Sequence, residues 1–362
     1  MKILISADLT PKKEEVNELF IKGDVKALFT DVIDVIKTAD RFIVNLECAL
    51  THAENGIKKF GPCLKADPKC AQTLKELGVT DVALSNNHVF DFGVQGLKDT
   101  MKALDEAGLP YTGVGENDVD SRKIYYIEQE GKKIALVNVC EHEYTYALPD
   151  RMGANPYDPY LTMQDIREAK KNADYVLVLY HGGKEHCRYP SPRLRNLCRE
   201  MVYCGADVVL TQHSHCIGCY EEFEGGHILY GQGNFHFCWD GNGEDWYTGL
   251  LVELTIEDGL SVRFIPYEIK SVSVELAKGE KEKEIMDGFY ARNEELKNGK
   301  WQAGWHAFCE SVAAGYKNAL RGQETPETTE EKTQHFAHYL DCEAHTDVWR
   351  ELYPTWNWTN EK

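Results

Sequence analysis

The chain of 362 residues is long enough for one large domain with an extension, or for two domains. Its 43% hydrophobic content can fill a core, and 27% charged residues can solvate the outside, as in a soluble enzyme. The formal net charge of −19 argues against a nucleic-acid partner, because an acidic surface repels polyanions and the sequence has no basic patch interleaved with aromatic residues.

The amino terminus, MKILISADLTP, begins with a short apolar run that predicts a strand. The run is too short for a signal-peptide core or a membrane span, and no later segment approaches about 18 apolar residues. We therefore expect a soluble, cytoplasmic protein with no membrane span. In that compartment the 12 cysteines are expected to be reduced thiols.

The first part of the chain, to about residue 235, alternates short β-branched runs with amphipathic segments, which predicts an α/β layered fold. Predicted strands are Ile3–Asp8, Phe42–Glu47, Asp81–Ser85, Ile134–Val139, Tyr175–Tyr180, Asp207–Thr211 and His227–Tyr230. Predicted helices are Lys26–Thr38, Pro68–Leu77, Val94–Ala107, Met163–Asn172 and Pro192–Cys204.

Two segments predict hairpins, so antiparallel strands are expected in the sheets. Lys123–Val139 turns at Gln129–Lys132, and Leu250–Ile269 turns at Glu257–Gly259. After about residue 270 the pattern becomes helical, through Trp301–Leu320 and Glu327–Leu352. We therefore predict a domain over residues 1–270 and a helical extension over residues 271–362, packed on or near it.

Five predicted strands end in residues of the kinds that bind metals. These residues are Asp8, Glu47, the run Asn86-Asn87-His88, the pair His181 and Glu185, and the pair His213 and His215. Ligands bind at the carboxyl ends of strands in open α/β sheets, because the loops converge there on a rigid base. His213 and His215 are two residues apart on a segment expected to be extended, so both imidazoles should point the same way.

Each of these residues alone also has an ordinary structural explanation. Asp8 fits a turn or a helix cap, Glu47 an edge charge, and a single histidine at a strand end a hydrogen-bonded core residue. Five coincident strand ends are hard to obtain from packing needs, so the combination predicts a metal site.

The order and spacing of these motifs resemble the CapA family of bacterial capsule or poly-gamma-glutamate biosynthesis proteins, which are related in fold to the calcineurin-like metallophosphoesterases. The resemblance covers roughly residues 1–270 and rests on Asp8, Asn45–Glu47, Gly61-Pro62 with Asp67-Pro68, Ser85–His88 with Asp91–Gly93, His181–Glu185, His213–His215 and Gly233–Phe235. It implies a four-layer α/β/β/α sandwich of the metallophosphoesterase type, with a C-terminal helical extension and a two-metal site at one end.

The resemblance also implies roles for individual residues. Asp8 and His215 would bind the first metal, Glu47 would bridge both metals, and the second metal would be held by Asn87, His181 and His213. His88 would act as general acid, and Asp91 would orient it. The donor set suits two divalent ions, Mn, Fe or Zn.

One position departs from the broader superfamily, which often has a histidine two residues after its first aspartate. Here that residue is Thr10. The first metal would then have fewer protein ligands, and occupancy by a single metal is an open alternative.

Three further clusters favour packing or solvation over chemistry. Cys216 and Cys219 are expected to be unrelated thiols, because a second CxxC is absent. A tail stripe with heptad-like spacing is expected to pack against the sandwich on one helical face, although metal binding is conceivable; its members are His335, His338, Cys342 and His345. A lysine cluster is expected to be solvated, with anion steering as the alternative; its members are Lys58, Lys59 and Lys65.

The leading hypothesis is a phosphoesterase that uses a metal-bound hydroxide on a small or polymeric anionic substrate, with a capsule or poly-gamma-glutamate link that rests on resemblance alone. One rival is a non-catalytic accessory or assembly protein of polymer synthesis. The other is a metal-dependent amide hydrolase acting on glutamyl polymers. The sequence leaves the substrate, the metal and the oligomeric state open.

Overall fold

The computed structural model describes residues 1–141, 144–321 and 329–354. The strands, in chain order, are β1 (Lys2–Leu9), β2 (Arg41–Leu46), β3 (Ala49–Leu50), β4 (Lys65–Ala66), β5 (Asp81–Ala83), β6 (Tyr111–Thr112), β7 (Val114–Gly115), β8 (Tyr125–Gln129), β9 (Lys132–Cys140), β10 (Gly153–Ala154), β11 (Tyr175–His181), β12 (Val208–Gln212), β13 (Ile217–Phe223), β14 (Gly226–Gln232), β15 (Asn234–His236), β16 (Thr248–Ile256), β17 (Leu260–Ile269) and β18 (Val274–Leu276).

The helices lie between these strands and after them. In chain order they are α1 (Glu14–Lys22), α2 (Val25–Phe29), α3 (Val32–Ile36), α4 (Cys70–Leu77), α5 (Gly93–Ala107), α6 (Asp118–Ser121), α7 (Leu161–Asn172), α8 (Pro192–Tyr203), α9 (Glu280–Asn298), α10 (Trp301–Arg321), α11 (Glu330–Asp341) and α12 (Glu343–Leu352), with a short 3₁₀ turn at Glu244–Tyr247.

Two large mixed sheets form the centre of the fold. The first has the order β18-β17-β16-β1-β2-β5-β6, and β15 pairs with the end of β1. The second has the order β13-β14-β12-β11-β9-β8. The parallel strands β1, β2 and β5 of the first sheet and β9, β11, β12 and β14 of the second are the ones that lead toward the site.

Antiparallel hairpins complete both sheets, as the turn sequences predict. β8 and β9 pair around the turn at Glu130-Gly131, and β16 and β17 pair around the turn before Leu260. The hairpin β13–β14 was not predicted from the sequence, because its first strand follows directly on the candidate metal residues.

The two sheets face each other across an apolar core, and helices cover their outer faces. The inner layer brings Ile3 and Ile5 of β1 together with Leu179 of β11 and Leu210 of β12, all almost fully buried. A second cluster joins the first sheet to α1–α5, and a third joins the second sheet to α7, α8, α10 and α12. This arrangement confirms the predicted four-layer α/β/β/α sandwich.

The segment predicted as one helix over Lys26–Thr38 is two short helices. The chain breaks between α2 and α3 at Thr30, whose φ of 36° lies in the left-handed region that a β-branched residue rarely adopts. The Thr30 hydroxyl donates a 2.7 Å hydrogen bond to the carbonyl of Val274 at the far edge of the first sheet. This long-range contact replaces the helix that the local pattern favours.

The helices after residue 270 form the predicted helical region, but its second half is interrupted. The predicted helix Glu327–Leu352 consists of α11 and α12, separated at Cys342, whose backbone is extended (φ −79°, ψ 134°). Residues 327 and 328 lie outside the described residues. The break turns α12 relative to α11, so the predicted single helical stripe does not exist.

No helix among the described residues combines the length and apolar character needed to cross a membrane. The boundary between a domain over residues 1–270 and an extension over residues 271–362 stays a prediction. Helix α9 lies against both β13 and β17, one from each sheet, with the Phe289 and Phe264 rings 5.0 Å apart.

Truncation of Leu179 to alanine should destabilise the protein by about 2–5 kcal/mol, because the side chain is fully buried between the sheets and leaves a cavity. Urea unfolding followed by circular dichroism gives the free energy of unfolding. Leu148→Ala is the matched control: Leu148 is 41% exposed, and we expect its loss to cost well under 1 kcal/mol. Equal losses in the two variants would contradict the inter-sheet core.

Candidate metal centre

Two buried carboxylates anchor the site, each at the carboxyl end of a central parallel strand. Asp8 lies near the end of β1 and Glu47 directly follows β2; both are fully buried. Thr10 Oγ1 donates a 2.9 Å hydrogen bond to the Glu47 carbonyl and so fixes the backbone that presents this carboxylate. Thr10 therefore has a structural role, because its hydroxyl holds the backbone of Glu47 in place.

Three histidines approach from the second sheet. His181 ends β11, and His213 and His215 follow β12, which stops at Gln212. The prediction of an extended His213–His215 segment is wrong, because both residues have positive φ, 87° and 53°. Left-handed backbone at two non-glycine residues is costly and is typically retained where the surrounding structure fixes a functional geometry.

These five side chains form two groups that share Glu47. One contains Glu47, His181 and His213; the other contains Asp8, Glu47 and His215. Within each group the ligand atoms lie within 4.8 Å of one another, and all the members are buried. A third group, in which Glu185 joins His213 and His215, lies beside them.

The buried carboxylate of Glu47 lacks hydrogen-bond donors among the described residues. Neither of its oxygens receives a hydrogen bond, although His181 Nε2 lies 3.4 Å from Oε1. His213 Nδ1 is likewise buried without a described partner. Buried polar atoms normally have partners, so these orphaned atoms indicate that a ligand outside the polypeptide completes the site.

The electrostatics of the cluster lead to the same conclusion. Burial, and then the neighbouring Glu47 carboxylate, raises the pKa of Asp8 to about 7. Burial lowers the pKa of His181 to about 4 and that of His213 to about 3. Neutral imidazoles beside two buried carboxylates are a donor set that a divalent cation would stabilise.

Asparagine side chains hold the candidate ligands in orientation. Asn45 Nδ2 donates to Asp8 Oδ1 at 2.7 Å and lies 3.2 Å from His181 Nδ1. Asn234 Oδ1 lies 2.8 Å from His215 Nδ1. Because Asn234 Oδ1 accepts from His215 Nδ1–H, it fixes the tautomer of that ring and leaves Nε2 for a metal, whereas the Asn45 contact positions the ring of His181. Neither Asn45 nor Asn234 has an individual role in the predicted site, although both lie inside the motifs that carry the resemblance.

Asn87 joins the cluster through its side-chain oxygen, which lies 2.9 Å from His181 Nε2. Its neighbour Asn86 shapes the loop: Asn86 Nδ2 donates to Asn45 Oδ1 at 3.1 Å, and Asn86 Oδ1 accepts from the His88 backbone N–H at 3.1 Å. The loop after β5 is thereby fixed to β2, with Asn87 and His88 both facing the cavity.

His88 is held by a buried ion pair. Its Nδ1 lies 2.6 Å from Asp91 Oδ2, and Lys59 Nζ lies 2.5 Å from Asp91 Oδ1 and 3.2 Å from His88 Nδ1. Burial raises the pKa of Asp91, but His88 and Lys59 outweigh it and hold that pKa below its ordinary value. The ionised Asp91 therefore accepts a hydrogen bond from Nδ1–H of His88, and Nε2 is the nitrogen of His88 that remains available.

Lys59 is a component that the sequence did not single out. It was expected to be one of three solvated lysines, but its side chain is only 4% exposed. Lys58 forms an exposed ion pair with Glu330, and Lys65 donates to the Ala53 carbonyl. Lys59 differs from its two neighbours because it is buried against Asp91 and His88, and a local sequence pattern does not show such burial.

A cavity of about 240 Å³ opens in front of the cluster. The residues that line it come from the strand ends of the site, from the segment between β3 and β4, and from the region of α11 and α12. They include Lys59, Phe60, Asn87, His88, Lys184, Glu185, His186, His213, His215, Phe237, Trp239, Trp246, His338, Cys342 and His345. Two members of the tail stripe, Cys342 and His345, are buried as packing residues would be, and together with His338 they also line this cavity. Cys216 and Cys219 are buried thiols outside the groups described above.

Residues 5–238, more than half of the chain, match the family described as bacterial capsule synthesis protein PGA_cap. The chain belongs to this family. Over 180 residues it is 36% identical to the capsule biosynthesis protein CapA of Bacillus anthracis, covering 48% of the chain and 44% of that protein. Over 215 residues it is 32% identical to the PGA biosynthesis protein CapA of Bacillus subtilis, covering 58% and 57%. The match thus spans about half the length of these curated relatives.

A more distant relative is a probable polyglutamine synthesis accessory protein of Mycobacterium tuberculosis, 25% identical over 252 residues, which cover 65% of the chain and 66% of that protein. Among solved structures, a hypothetical protein from Thermus thermophilus matches with a TM-score of 0.47 and 17% identity over 75% of the chain and 100% of its own. A putative 5'-nucleotidase from Staphylococcus aureus matches with a TM-score of 0.45 and 16% identity over 79% and 57%. These structural similarities are too distant to indicate an activity.

We predict that Asp8→Asn changes the pH dependence of stability of the metal-free protein. The pKa of Asp8 is about 7 in the folded chain and 3.8 in the unfolded chain, so between these pH values the side chain keeps its proton only in the folded state. The folded state therefore binds more protons in this window, and the contribution of Asp8 to stability falls as pH rises from about 4 to 7.

The loss of folding stability that the raised pKa of Asp8 causes amounts to at most about 4 kcal/mol, and above about pH 7 it no longer changes with pH. The measurement is urea unfolding of chelator-treated wild type and Asp8→Asn between pH 4 and 8. The difference in free energy of unfolding should move in favour of the variant as pH rises to 7. A difference that is independent of pH would contradict the raised pKa.

Proposed function

We propose that this protein is a metal-dependent hydrolase of the phosphoesterase type. The observation that carries the proposal is the Glu47 carboxylate, buried without a hydrogen-bond donor among the described residues and shared by two groups of metal-ligating side chains. Such a carboxylate is costly to bury unless a cation lies against it. Two divalent ions, Mn, Fe or Zn, fit a donor set of imidazole, carboxylate and amide oxygen.

In this proposal each side chain has a definite place. Asp8 and His215 would hold one ion, and Glu47 would bridge the two. Asn87, His181 and His213 would hold the other. When bound, such a pair supplies Lewis-acid chemistry, since it neutralises charge on a phosphoryl group and activates water.

The remaining steps belong to the side chains of the chain itself. His88, fixed through Nδ1 by Asp91, presents Nε2 to the cavity, where it can hold a proton for the leaving oxygen. Burial and the Lys59 charge lower the pKa of His88 in the free protein. An anionic substrate in the cavity would raise it again, because a nearby negative charge favours the imidazolium.

The biological substrate is proposed to be a small or polymeric anionic compound of capsule or poly-gamma-glutamate metabolism. The names of the two Bacillus relatives support this link, and so does the membership of the chain in their family. The cavity's lysine and histidine lining supports an anion despite the net charge of −19.

The second candidate is an accessory protein of polymer synthesis without turnover. One observation favours it. The residue directly after β1 is Thr10, whose hydroxyl donates to the Glu47 carbonyl, and the group described there contains three side chains, Asp8, Glu47 and His215. A weakly held ion in that group would favour a structural metal over a catalytic pair.

The first test is the metal content of the purified full chain by elemental mass spectrometry, after reconstitution with manganese, iron or zinc. We expect close to two ions in wild type and loss of at least one in His213→Ala/His215→Ala. His52→Ala is the control, because His52 has a largely exposed side chain outside the cavity. Absence of bound metal in wild type would overturn the hydrolase.

The second test addresses His88. Replacement by alanine should lower kcat for an aryl phosphate monoester or diester by about 10²- to 10⁴-fold, because proton donation to the leaving oxygen is lost. Metal content should remain that of wild type, since His88 belongs to neither ligand group. Unchanged turnover in His88→Ala would contradict the general-acid role of His88. If wild type cleaves no phosphate ester at all, the accessory protein is favoured instead.

A further inference from the structure

Glu185 is a carboxylate of the cavity lining that has no place in the ligand set proposed above. It lies on the loop after β11, which ends at His181, and it lines the cavity. Its carboxylate forms a group with His213 and His215 in which the ligand atoms lie within 4.8 Å of one another. The structure thus brings a further acidic side chain to two of the candidate metal ligands.

The loop that carries Glu185 is bonded to the histidine segment on both sides of that residue. The Gly182 N–H donates to the Gln212 carbonyl at 3.1 Å, and the His186 N–H donates to the Ser214 carbonyl at 2.8 Å. Glu185 is therefore presented by a loop that is fixed to the same backbone as the two histidines.

The neighbouring strand holds this loop as well. The Gly183 N–H donates to Glu141 Oε2 at 2.9 Å, and Glu141 Oε1 accepts from the Tyr180 hydroxyl at 2.7 Å. A Cβ on Gly182 would lie 2.5 Å from Glu141 Cγ, and Gly183 has a φ of 99°, so both positions require glycine. The fold itself, rather than contacts of its own side chain, sets the position of Glu185.

The Glu185 carboxylate has no partner of its own within residues 1–141, 144–321 and 329–354. It makes no hydrogen bond and no ion pair there, although the residue is partly buried. Burial raises its pKa, but the neighbouring charges, that of Lys184 first, outweigh burial and hold the pKa well below its ordinary value. An ionised carboxylate without a bonded partner therefore faces the candidate ligands.

The charge of Glu185 acts on the other members of the site. After burial, it is the largest influence that raises the pKa of Glu47. Burial lowers the pKa of His215, and the charge of Glu185 is the largest influence that opposes this. Carboxylates that act on one another in this way repel each other, and a cation between them removes the repulsion.

The number of donors indicates which ion Glu185 would bind. In the proposed assignment the ion beside His213 has four donors and the other ion has three. These three are Asp8, Glu47 and His215. Thr10, the residue directly after β1, uses its hydroxyl for a backbone carbonyl. Manganese favours six-coordinate, oxygen-rich sites, so the ion with three donors has room for a further carboxylate.

We propose that Glu185 is a ligand of the ion held by Asp8, Glu47 and His215. The inference rests on the proposed function, because it needs the metal centre. It gives both ions four donors from the chain, so the position with fewer ligands is completed from the loop after β11.

The test is a manganese titration of the metal-free full chain, in which electron paramagnetic resonance follows the free ion. Wild type should bind two ions. In Glu185→Gln one affinity should stay within about twofold of wild type and the other should fall about tenfold or more, because losing a ligand costs at least as much as losing a group that only orients one. The visible spectrum of the cobalt-loaded variant should also differ from that of wild type, since it reports the coordination of the ion.

Asp240→Asn is the matched control. It removes one negative charge beside Trp239 of the cavity lining, and the Asp240 side chain is 77% exposed. We expect manganese affinities within about twofold of wild type and an unchanged cobalt spectrum. The metal-free Glu185→Gln chain should melt no lower than metal-free wild type, because the carboxylate makes no hydrogen bond that the amide would lose.

Three results would each overturn the assignment of Glu185. They are unchanged manganese affinities and cobalt spectrum in Glu185→Gln, the same loss of affinity in Asp240→Asn, and a lower melting temperature of the metal-free Glu185→Gln chain. The last of these would show that Glu185 supports the fold and not the ion.

The ligand assignment and the hydrolase fail in different ways. If wild type binds two ions, one of them through Glu185, but cleaves no phosphate ester, the hydrolase is wrong and the assignment stands. If wild type cleaves esters and Glu185→Gln binds both ions as wild type does, the assignment is wrong and the hydrolase stands. A wild-type chain that binds no metal overturns both.

Discussion

The burial of two carboxylates at the junction of the two sheets is the constraint on which the rest of the site depends. Asp8 and Glu47 are fully buried at the ends of adjacent parallel strands, and burial together with the Glu47 carboxylate raises the pKa of Asp8. The fold meets this cost with polar groups drawn from both sheets: Asn45 from β2, and His181 and the His213 backbone from the second sheet. The geometry of the site therefore depends on the packing of the two sheets, since a shift of one sheet against the other would separate the carboxylates from their partners.

The same constraint explains the strained backbone after β12. His213 donates its backbone N–H to Asp8 Oδ2 at 3.0 Å while its ring joins Glu47 and His181. An extended residue at this position could not be expected to make both contacts, and the positive φ of 87° accompanies them. The cost of that conformation, about 1–3 kcal/mol by comparison with similar residues, is offset locally by a buried hydrogen bond to a carboxylate.

The sequence predicted the layered fold and most of the strands because apolar runs ending at glycine or polar loops are local signals. The convergence of Asp8, Glu47, Asn87, His181, His213 and His215 followed from a general property of parallel sheets, and the structure brings all six together. Their role as metal ligands stays a prediction. The features that the sequence did not predict depend on contacts between residues far apart in sequence. The helix breaks at Thr30, whose hydroxyl donates to the Val274 carbonyl, and Lys59 is buried against Asp91, 32 residues further along the chain. The spacing of the tail histidines predicts one helical face, but the extended residue Cys342 ends the first helix, so His338 and His345 lie on two different helices.

The location of the cavity wall has a consequence for how this protein can diverge from its relatives. The strand ends that carry the candidate ligands lie within residues 5–238, whereas His338 and His345 lie on α11 and α12, and α12 joins the sandwich through the buried side chains of Val348 and Asp347. Substitutions in α11 or α12 can thus alter the shape and polarity of the cavity while the inter-sheet core and the buried carboxylates remain as they are. One cavity thus combines candidate ligands that are fixed by the packing of two sheets with a wall formed by separate helices.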